Sequence, residues 1–324
     1  MAKRDATLHD VAALVGVSPR TVSRVVNGEG GFSAATEAKV RAAIEKLGYR
    51  PNLLARGLIR GRSGAIALVG PTMTDPFFPE LAEGVQQAAR EQKLTMFMAS
   101  TDADLDHQRT VIETLHAYAI DGAIVFPVRE SDTQLAQLAA SGFRMITIDL
   151  PVAIENAPNI RSDIEDGARQ AVTHLVEQGR RRIAFVDGSH GPGGRRLFGF
   201  RGVVGAHAPT SHAAPTAAGG MEAMRDLLER VPDLDGVFAY NDLMAIGALR
   251  VLAETGRRVP DDVAVVGFDD ISFSAIINPA LTTVRLDRAR IGREAVAQVV
   301  ALTEGEWVPP ETWIPVELVV RESA

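Results

Sequence analysis

The sequence predicts an α/β protein in which a small all-α helix-turn-helix head at the N terminus precedes two doubly wound parallel-sheet lobes. Three observations support this prediction: two amphipathic helices joined by a tight turn within residues 7–28, short apolar strands alternating with amphipathic helices after Ser63, and opposite net charges on the two parts. With 324 residues, 46% of them hydrophobic, the chain can form two or three domains of about 100–200 residues each.

Residues 7–28 have the pattern of two helices joined by a turn. The first is expected to follow a cap at Thr7 and to end before Gly16, and the second to follow a cap at Ser18 and to end before Gly28. Four polar residues remain on the outward face of the second helix: Arg20, Thr21, Ser23 and Arg24. A helix-turn-helix presents such side chains to base edges and phosphates, whereas the simpler alternative is a helical hairpin at one end of a larger fold.

Charge helps to decide between these two interpretations. Residues 1–62 contain eleven Lys and Arg and five acidic residues, a net charge of +6, although the whole chain carries −7. Residues 63–324 therefore carry −13. A basic head on an acidic body is expected of a module that binds a polyanion, because phosphate neutralisation supplies most of the non-specific affinity for DNA.

A third helix, capped by Ser33 and ending near residue 47, is expected to complete the head at residues 1–49. Its expected buried stripe comprises Val40, Ala43, Ile44 and Leu47. Residues 50–62 cannot form a core of their own, so they are either a plain linker or a short hinge helix that becomes ordered against a partner. Three arginines and one leucine in this segment favour DNA as that partner: Arg56, Arg60, Arg62 and Leu58.

Composition and spacing argue against several other classes of protein. The chain has no cysteine, which excludes disulfides, thiolate catalysis and cysteine-based metal sites. No apolar run approaches the ~20 residues of a membrane span and no signal-peptide segment follows the first residues, so we expect a cytoplasmic protein. Residues 188–194 lack the spacing of a dinucleotide fingerprint, and residues 102–107 lack the glycine and distal glutamate of a calcium loop. We therefore expect no cofactor, no metal site and no catalytic residues.

The body, residues 63–324, is expected to form two similar lobes, because short apolar strands that alternate with amphipathic helices are typical of parallel sheets covered on both faces. The expected boundaries are residues 63–160 with about 290–310 for the first lobe, and about 161–289 with 311–320 for the second. Residues 313–320 are predicted to form one final strand. Ligands of such sheets bind beyond the carboxyl ends of the strands, which here places a site between the lobes.

Polar and aromatic residues follow the predicted strands at that position. They are Asp75, Phe77, Phe78, Asp149, Asp163, Arg195, Arg196, Tyr240, Asn241, Asp242, Asp269 and Asp270. Aromatic faces stack on rings, and Asn, Asp and Arg form directional hydrogen bonds to hydroxyls or amides, so a sugar or a nucleobase would fit. Alternatively, each Asp simply caps the helix that follows it, and both interpretations remain open here.

The head also carries a dense motif. It reads Leu-x-Asp-Val-Ala-x-x-x-Gly-Val-Ser-x-x-Thr-Val-Ser-Arg-Val-Val-Asn from residue 8, followed by Leu-Gly-Tyr-x-Pro-Asn from residue 47 and Ala-Arg-x-Leu from residue 55. Over residues 7–60 this sequence resembles the lactose repressor (LacI/GalR) family of bacterial transcription regulators. The resemblance implies that the second helix enters the major groove, and that Pro19, Arg20 and Arg24 select the operator. It also implies that paired hinge helices of a homodimer open the minor groove of palindromic double-stranded DNA, with Leu58 as the wedge. The DNA-binding residues expected on this basis are Thr7, Ser18, Pro19, Arg20, Thr21, Ser23, Arg24, Asn27, Asn52, Ala55, Arg56 and Leu58.

The body resembles the effector-binding core of the same family, which is of periplasmic-binding-protein-like type and takes small sugars or purines. The resemblance rests on Arg196 ahead of Gly-Phe, on Asn-Asp-x-Met-Ala-x-Gly-Ala from Asn241, and on Val-Gly-Phe-Asp-Asp around Asp269. It implies that Arg196 grips the effector and that Asn241 and Asp269 hold its hydroxyls. The expected effector-binding residues are Phe77, Phe78, Asp149, Asp163, Arg196, Asn241 and Asp269. Two departures stand out: Leu286 replaces a residue that is polar in some members, and residues 200–219 form a shorter segment than is usual.

Three functions fit two α/β lobes: a ligand-controlled DNA-binding repressor, a solute-binding protein for transport, and a Rossmann-type oxidoreductase. Transport leaves the basic head unexplained and requires an export signal, and the oxidoreductase requires a phosphate fingerprint. The sequence therefore favours a repressor rather than an enzyme. In this interpretation the effector re-angles the lobes of a dimer and changes the spacing of its two hinge segments. The resemblance implies a homodimer rather than a tetramer, because the chain lacks the long extra C-terminal helix that builds tetramers in some members of the family.

Overall fold

The computed structural model describes residues 6–50, 62–128, 133–188 and 194–324. The chain divides into two compact units, Met1–Ser63 and Gly64–Ala324. The first unit contains the helical head and the second contains both α/β lobes. Within the described ranges, no helix combines the length and the apolar character needed to span a membrane.

Residues 6–50 of the head form three helices: α1 (Leu8–Val15), α2 (Pro19–Asn27) and α3 (Ala34–Leu47). A hydroxyl caps each of them, because Thr7, Ser18 and Ser33 each accept a hydrogen bond from the backbone N–H three residues later. Each helix is followed by a glycine with positive φ, a conformation that glycine adopts without steric cost. The helix boundaries of the head are therefore set by short local signals, as predicted.

The small core of the head lies between the three helices. Its buried residues are Val11, Ala12, Val22, Val25, Val40 and Ala43. The prediction that Leu47 belongs to this core is wrong, since Leu47 is 36% exposed. Leu47 is the last residue of α3, and beyond it the chain turns at Gly48 so that Tyr49 packs against the core instead.

Strands and helices alternate through the body. The strands are β1 (Ala65–Gly70), β2 (Thr95–Ser100), β3 (Gly122–Val125), β4 (Met145–Ile148), β5 (Asn159–Ser162), β6 (Ile183–Asp187), β7 (Thr210–His212), β8 (Gly236–Ala239), β9 (Ala264–Asp269), β10 (Thr282–Leu286), β11 (Glu311–Ile314) and β12 (Val316–Val319). The helices are α4 (Phe77–Glu91), α5 (Leu105–Ala117), α6 (Thr133–Ala140), α7 (Ile164–Glu177), α8 (Arg195–Val204), α9 (Ala217–Arg230), α10 (Asp242–Glu254) and α11 (Arg288–Glu304). A short 3-10 turn covers Ser272–Ala275.

The described strands form two six-stranded sheets, one in each lobe. Their orders are β11-β5-β4-β3-β1-β2 and β12-β10-β9-β8-β6-β7. The pairs are parallel except for β10 with β12. Buried apolar side chains such as Leu68 and Phe185 fill the strands, as expected of sheets covered on both faces. This arrangement confirms the predicted fold class.

The structure corrects two of the predicted lobe boundaries. Residues 311–320 do not belong to the second lobe as a whole, because β11 pairs with β5 of the first sheet and β12 with β10 of the second. The predicted single final strand is also two strands, separated by Pro315, which has no N–H to donate to a sheet ladder. Similarly, the first lobe continues to Ser162 rather than to residue 160.

The segment of residues 200–219, which is short for the resembled family, is folded into regular structure. It contains the end of α8, the three-residue strand β7 and the start of α9. Helix α9 spans Ala217–Arg230 and starts from a cap at Thr216. The second sheet therefore keeps its edge strand despite the short connection.

Candidate functional site

The outward face of α2 carries the head residues that the sequence assigned to DNA. Arg20 is exposed, whereas Ser23, Arg24 and Asn27 are partly exposed. The Arg24 guanidinium donates to the backbone carbonyl of Gly30, in the loop between α2 and α3. The Arg24 side chain is thus folded back towards its own domain in this structure.

Two other predicted DNA contacts already have a structural role. The hydroxyl of Thr7 accepts from the Asp10 N–H, and that of Ser18 accepts from the Thr21 N–H at 3.1 Å. The Ser18 and Thr21 hydroxyls also lie 2.9 Å apart. The predicted hinge contacts lie outside the described residues: Asn52, Ala55, Arg56 and Leu58.

The cleft between the two lobes centres on Arg196, in the first turn of α8. Its Nη2 lies 3.0 Å from Oδ1 of Asp269, and the two side chains are only 13% and 8% exposed. The guanidinium carbon lies 4.4 Å from the ring centroid of Tyr240 and 4.1 Å from that of Phe268. Its Nε is buried and has no hydrogen-bond partner. Arg196 therefore retains one N–H donor, at Nε, in addition to its ion pair with Asp269.

Asp269, the last residue of β9, combines a strained backbone conformation with a buried carboxylate. Its backbone φ of 107° lies in a region that residues other than glycine rarely adopt, and the next residue, Asp270, has a φ of 52°. Burial raises the pKa of Asp269 well above its usual range, while the nearby Arg196 opposes this rise. Such strain and burial at one carboxylate are typical of a binding site.

Asn241 and Asp75 form the first polar bridge across the cleft. The Asn241 side-chain amide donates to Oδ2 of Asp75 at 3.3 Å and to the Pro215 carbonyl at 3.2 Å. Its Oδ1 accepts from the Met244 N–H at 2.9 Å and so caps α10. Asn241 is therefore both a helix cap and a residue of the cleft. Burial raises the pKa of Asp75.

Arg195 and Asp149 form a second bridge. Nη2 of Arg195, on the second lobe, lies 3.0 Å from the backbone carbonyl of Asp149 and 3.4 Å from its carboxylate on the first lobe. The Ser162 N–H donates to the same carboxylate at 2.6 Å. Burial also raises the pKa of Asp149. The sequence placed Arg195 and Arg196 together among the polar residues that follow the strands, but only Arg196 was assigned to the effector by resemblance.

An aromatic cluster lies at the first-lobe side of the cleft. Phe77 is buried, Phe78 is half-buried, and their ring centroids lie 5.2 Å apart in an edge-to-face arrangement. Phe126, which sequence reasoning missed, packs edge-on against both rings. Its position directly after β3 was the signal that could have identified it. The cluster gives this wall of the cleft an apolar face.

Asp163 differs from the other predicted effector residues. Its Oδ1 accepts from the Asp166 N–H at 3.1 Å, which makes it the N-cap of α7. Asp242 is likewise structural, because its buried carboxylate accepts from the Ile271 N–H, the Ser274 hydroxyl and the Thr283 hydroxyl. For Asp163 the observed contact is that of the helix cap, whereas Asp75, Asp149 and Asp269 face partners in the cleft.

Comparisons with known proteins cover nearly the whole chain. A family described as "Bacterial regulatory proteins, lacI family" matches residues 7–52, and a "Periplasmic binding protein-like domain" matches residues 172–324. The transcriptional regulator CelR of Thermobifida fusca is 36% identical over 99% of both chains, and the ribose operon repressor of Halalkalibacterium halodurans is 36% identical over 98% of this chain and 96% of its own.

Solved structures give the same picture. The CelR–cellobiose complex covers 98% of this chain and 100% of its own, with 34% identity and a TM-score of 0.75. The lac repressor dimer bound to operator and an anti-inducer covers 99% of both chains, with 28% identity and a TM-score of 0.87. Head and lobes are thus both found in these relatives within one chain.

Proposed function

Because the chain belongs to the lacI family of bacterial regulatory proteins, we propose that it represses transcription by binding palindromic operator DNA under the control of a sugar-like or purine-like effector. Its family makes it a DNA-binding transcriptional regulator and not an enzyme. The observation that supports an effector site best is the buried pair of Arg196 and Asp269, with a guanidinium that contacts two aromatic rings. A regulator of bacterial DNA acts in the cytoplasm, and we propose that location.

DNA binding is assigned to the head and the hinge. We assign base and phosphate contacts to the outward face of α2, with Arg20 and Arg24 as the principal cations. A homodimer places two heads on the two halves of a palindrome. We assign the hinge contacts to residues 50–62, with Leu58 inserted into the minor groove, by similarity to the family.

The chemistry of the cleft favours a sugar over a purine. The carboxylates of Asp75, Asp149 and Asp269 accept hydrogen bonds from hydroxyls, and the guanidinium of Arg196 donates to hydroxyl or ring oxygens. Phe78 adds a flat apolar wall, which fits the apolar face of a sugar ring. CelR, whose structure was solved with cellobiose, supports the carbohydrate class. A purine would use the same wall by stacking.

Effector control follows from the two bridges across the cleft. An effector with several hydroxyls offers partners to Asp75, Asn241 and Asp149, so its binding exchanges direct bonds between the lobes for bonds through the ligand. The angle between the lobes then depends on the ligand. In a dimer this angle sets the spacing of the two hinge segments and hence whether both heads fit adjacent half-sites.

The experiment that tests this proposal titrates the full-length chain by calorimetry with cellobiose, D-ribose and hypoxanthine, and measures binding to palindromic duplexes selected from a random library. Arg196→Lys keeps the charge but loses the planar fork and the contact with both rings. Arg201→Lys, on the exposed side of the same helix, is the matched control.

We expect one of the three probes to bind the wild type and Arg201→Lys, and to bind Arg196→Lys at least about tenfold more weakly, as loss of a charged hydrogen bond implies. The same probe should change the affinity for the selected duplex in the wild type only. Failure of all three probes to bind, or equal binding by Arg196→Lys, would contradict the effector assignment. Selection that enriches no symmetric duplex would contradict the assignment of DNA binding.

A further inference from the structure

Arg288 stands where the chain crosses from the second lobe to the first. It follows strand β10 of the second sheet and is the first residue of α11, a helix that packs against α4 of the first lobe. A cation at a helix N terminus is unfavourable, because the aligned peptide dipoles place positive charge there. The position of Arg288 is therefore explained by its partners and not by the stability of α11.

The first partners of Arg288 are the two strained residues at the end of β9. Nη1 donates to the carbonyl of Asp269 at 2.6 Å, and Nη2 donates to the carbonyl of Asp270 at 2.8 Å. Both residues have positive φ. The planar fork of Arg288 thus holds the two carbonyls in the direction that this backbone conformation requires, while the Asp269 side chain faces Arg196.

The third partner of Arg288 is Glu80, in the first turn of α4. Its Oε2 lies 3.1 Å from Nη2 of Arg288, and its Oε1 accepts from the Ser272 N–H at 2.9 Å. The Arg288 and Glu80 side chains are only 19% and 23% exposed, so this ion pair is less screened than a surface pair. Glu80 also lies in the same first turn of α4 as Phe77 and Phe78, which form the aromatic wall of the cleft.

We infer that Arg288 is a positioning residue for Asp269 and that Arg288 and Glu80 together form the link that couples the effector-contacting strand end of the second lobe to α4 of the first. This inference rests on the proposed function for the role of Asp269. An effector that forms a hydrogen bond with the Asp269 side chain also shifts the backbone of this residue. Because Arg288 binds the carbonyls of residues 269 and 270, this shift is passed on to the Arg288 side chain. Any rearrangement there redistributes the hydrogen bonds of Glu80, which holds both the Ser272 N–H and Arg288.

The link is tested without any ligand by amide hydrogen exchange of the full-length chain. Arg288→Met should accelerate exchange by about tenfold in residues 269–274 and also in residues 77–82, because charged hydrogen bonds are lost on both lobes at once. Glu80→Gln retains an acceptor for Ser272 and weakens only the attraction to Arg288, so its effect should be smaller. Arg293→Met, on the exposed side of α11, is the matched control and should change neither segment.

Arg288→Lys separates the two halves of the inference. An ammonium can still pair with Glu80 but cannot hold two carbonyls in a planar fork. We expect protection of residues 77–82 to be restored and that of residues 269–274 to stay reduced. Acceleration confined to one lobe in Arg288→Met, or none, would overturn the link.

Calorimetry distinguishes this inference from the proposed function. If cellobiose, D-ribose and hypoxanthine all fail to bind the wild type, the effector proposal fails, while the exchange experiment still decides on the link. If one of them binds the wild type and binds Arg288→Met equally tightly, the positioning role of Arg288 is wrong. We expect that probe to bind Arg288→Met about tenfold more weakly.

Discussion

The head and the body of this protein are organised over different distances along the chain. In the head, the helix caps join residues three positions apart, such as Ser18 with Thr21. In the cleft, Asn241 meets Asp75 across 166 positions, and Arg196 meets Asp269 across 73. Local pairing fixes the shape of a small domain, whereas the contacts of the candidate effector site join residues that only the folded body brings together.

Charge separates the two regions as well. The first 62 residues carry a net +6 and the remainder −13. Described carboxylates of the head are all at least partly exposed, while the body buries Asp242, Asp269 and Asp270. We therefore expect substitutions of buried charges to affect the body most, and substitutions of apolar or capping residues to affect the head.

The largest effect is expected for Arg196→Met. It leaves the buried Asp269 carboxylate without its ion-pair partner, which should lower the free energy of unfolding of the body by about 3–5 kcal/mol. Differential scanning calorimetry of the full chain should show the loss in the body transition alone. Adding Asp269→Asn should recover part of the loss, and a single substitution with no effect on this transition would contradict the buried pair.

The corresponding change in the head is Val22→Ala. Val22 is fully buried in a core of only six buried apolar residues, and removing two methyl groups should cost about 2 kcal/mol. Circular dichroism should show a head transition at lower temperature, with loss of binding to the selected duplex. The effector titration of the body should remain unchanged, and a parallel loss of effector binding would show that the two regions are not independent.

The accuracy of the predictions from sequence also differs between the head and the body. The helices of the head were predicted nearly to the residue, because a hydroxyl cap and a terminal glycine are local signals. In the body, alternating apolar and amphipathic segments were enough for the fold class. Strands β5, β7 and β10 were not predicted, because sequences such as Asn-Ile-Arg-Ser, Thr-Ser-His and Thr-Thr-Val-Arg-Leu have no continuous apolar run and depend on neighbouring strands.

The sequence predicted which residue types lie in the candidate effector site, but not which of these residues contact each other. Position after a predicted strand identified Asp149, Asp269 and Asn241 alike, whereas Asp163, selected at the crossing between the lobes, caps a helix. Arg288 and Glu80 were not predicted, because they contact each other and backbone groups of residues 269–272, which lie at other places along the chain. No local pattern in the sequence reports a contact of that kind.

A smaller effect is expected from pH, and only in the body. Burial raises the pKa of Asp242 to about 7 from its ordinary value of 3.8, although hydrogen bonds from Thr283, Ser274 and Ile271 favour the ionised form. The folded state therefore holds this proton more tightly than the unfolded chain does. Its stabilising contribution is complete below the unfolded pKa and is lost as the pH rises through the folded pKa.

Between about pH 5 and about pH 7, the free energy of unfolding of the body should accordingly fall by up to about 1.4 kcal/mol per pH unit through this group. Urea titrations of the wild type and of Asp242→Asn should differ in this slope. Asp262→Asn is the control, because the pKa of Asp262 is lowered to about 2 by its hydrogen bonds with Arg258, and the group is ionised throughout this range. Identical slopes for the wild type and Asp242→Asn would refute the prediction.

The smallest effect is expected for two matched helix caps of the head. Ser18 and Ser33 each accept from a threonine N–H at 3.1 Å and lie 2.9 Å from the hydroxyl of the same threonine. Ser18→Ala and Ser33→Ala should therefore each cost about 1 kcal/mol of head stability.

Only Ser18 belongs to the predicted DNA surface, so the two substitutions separate capping from contact. If Ser18 also touches operator phosphate, fluorescence anisotropy with the selected duplex should show a larger loss of affinity for Ser18→Ala than for Ser33→Ala at equal stability. Equal losses would assign Ser18 to capping alone and remove it from the DNA interface. Because the caps share their geometry, any difference in DNA affinity is attributable to the position of the residue and not to the hydrogen bond it forms.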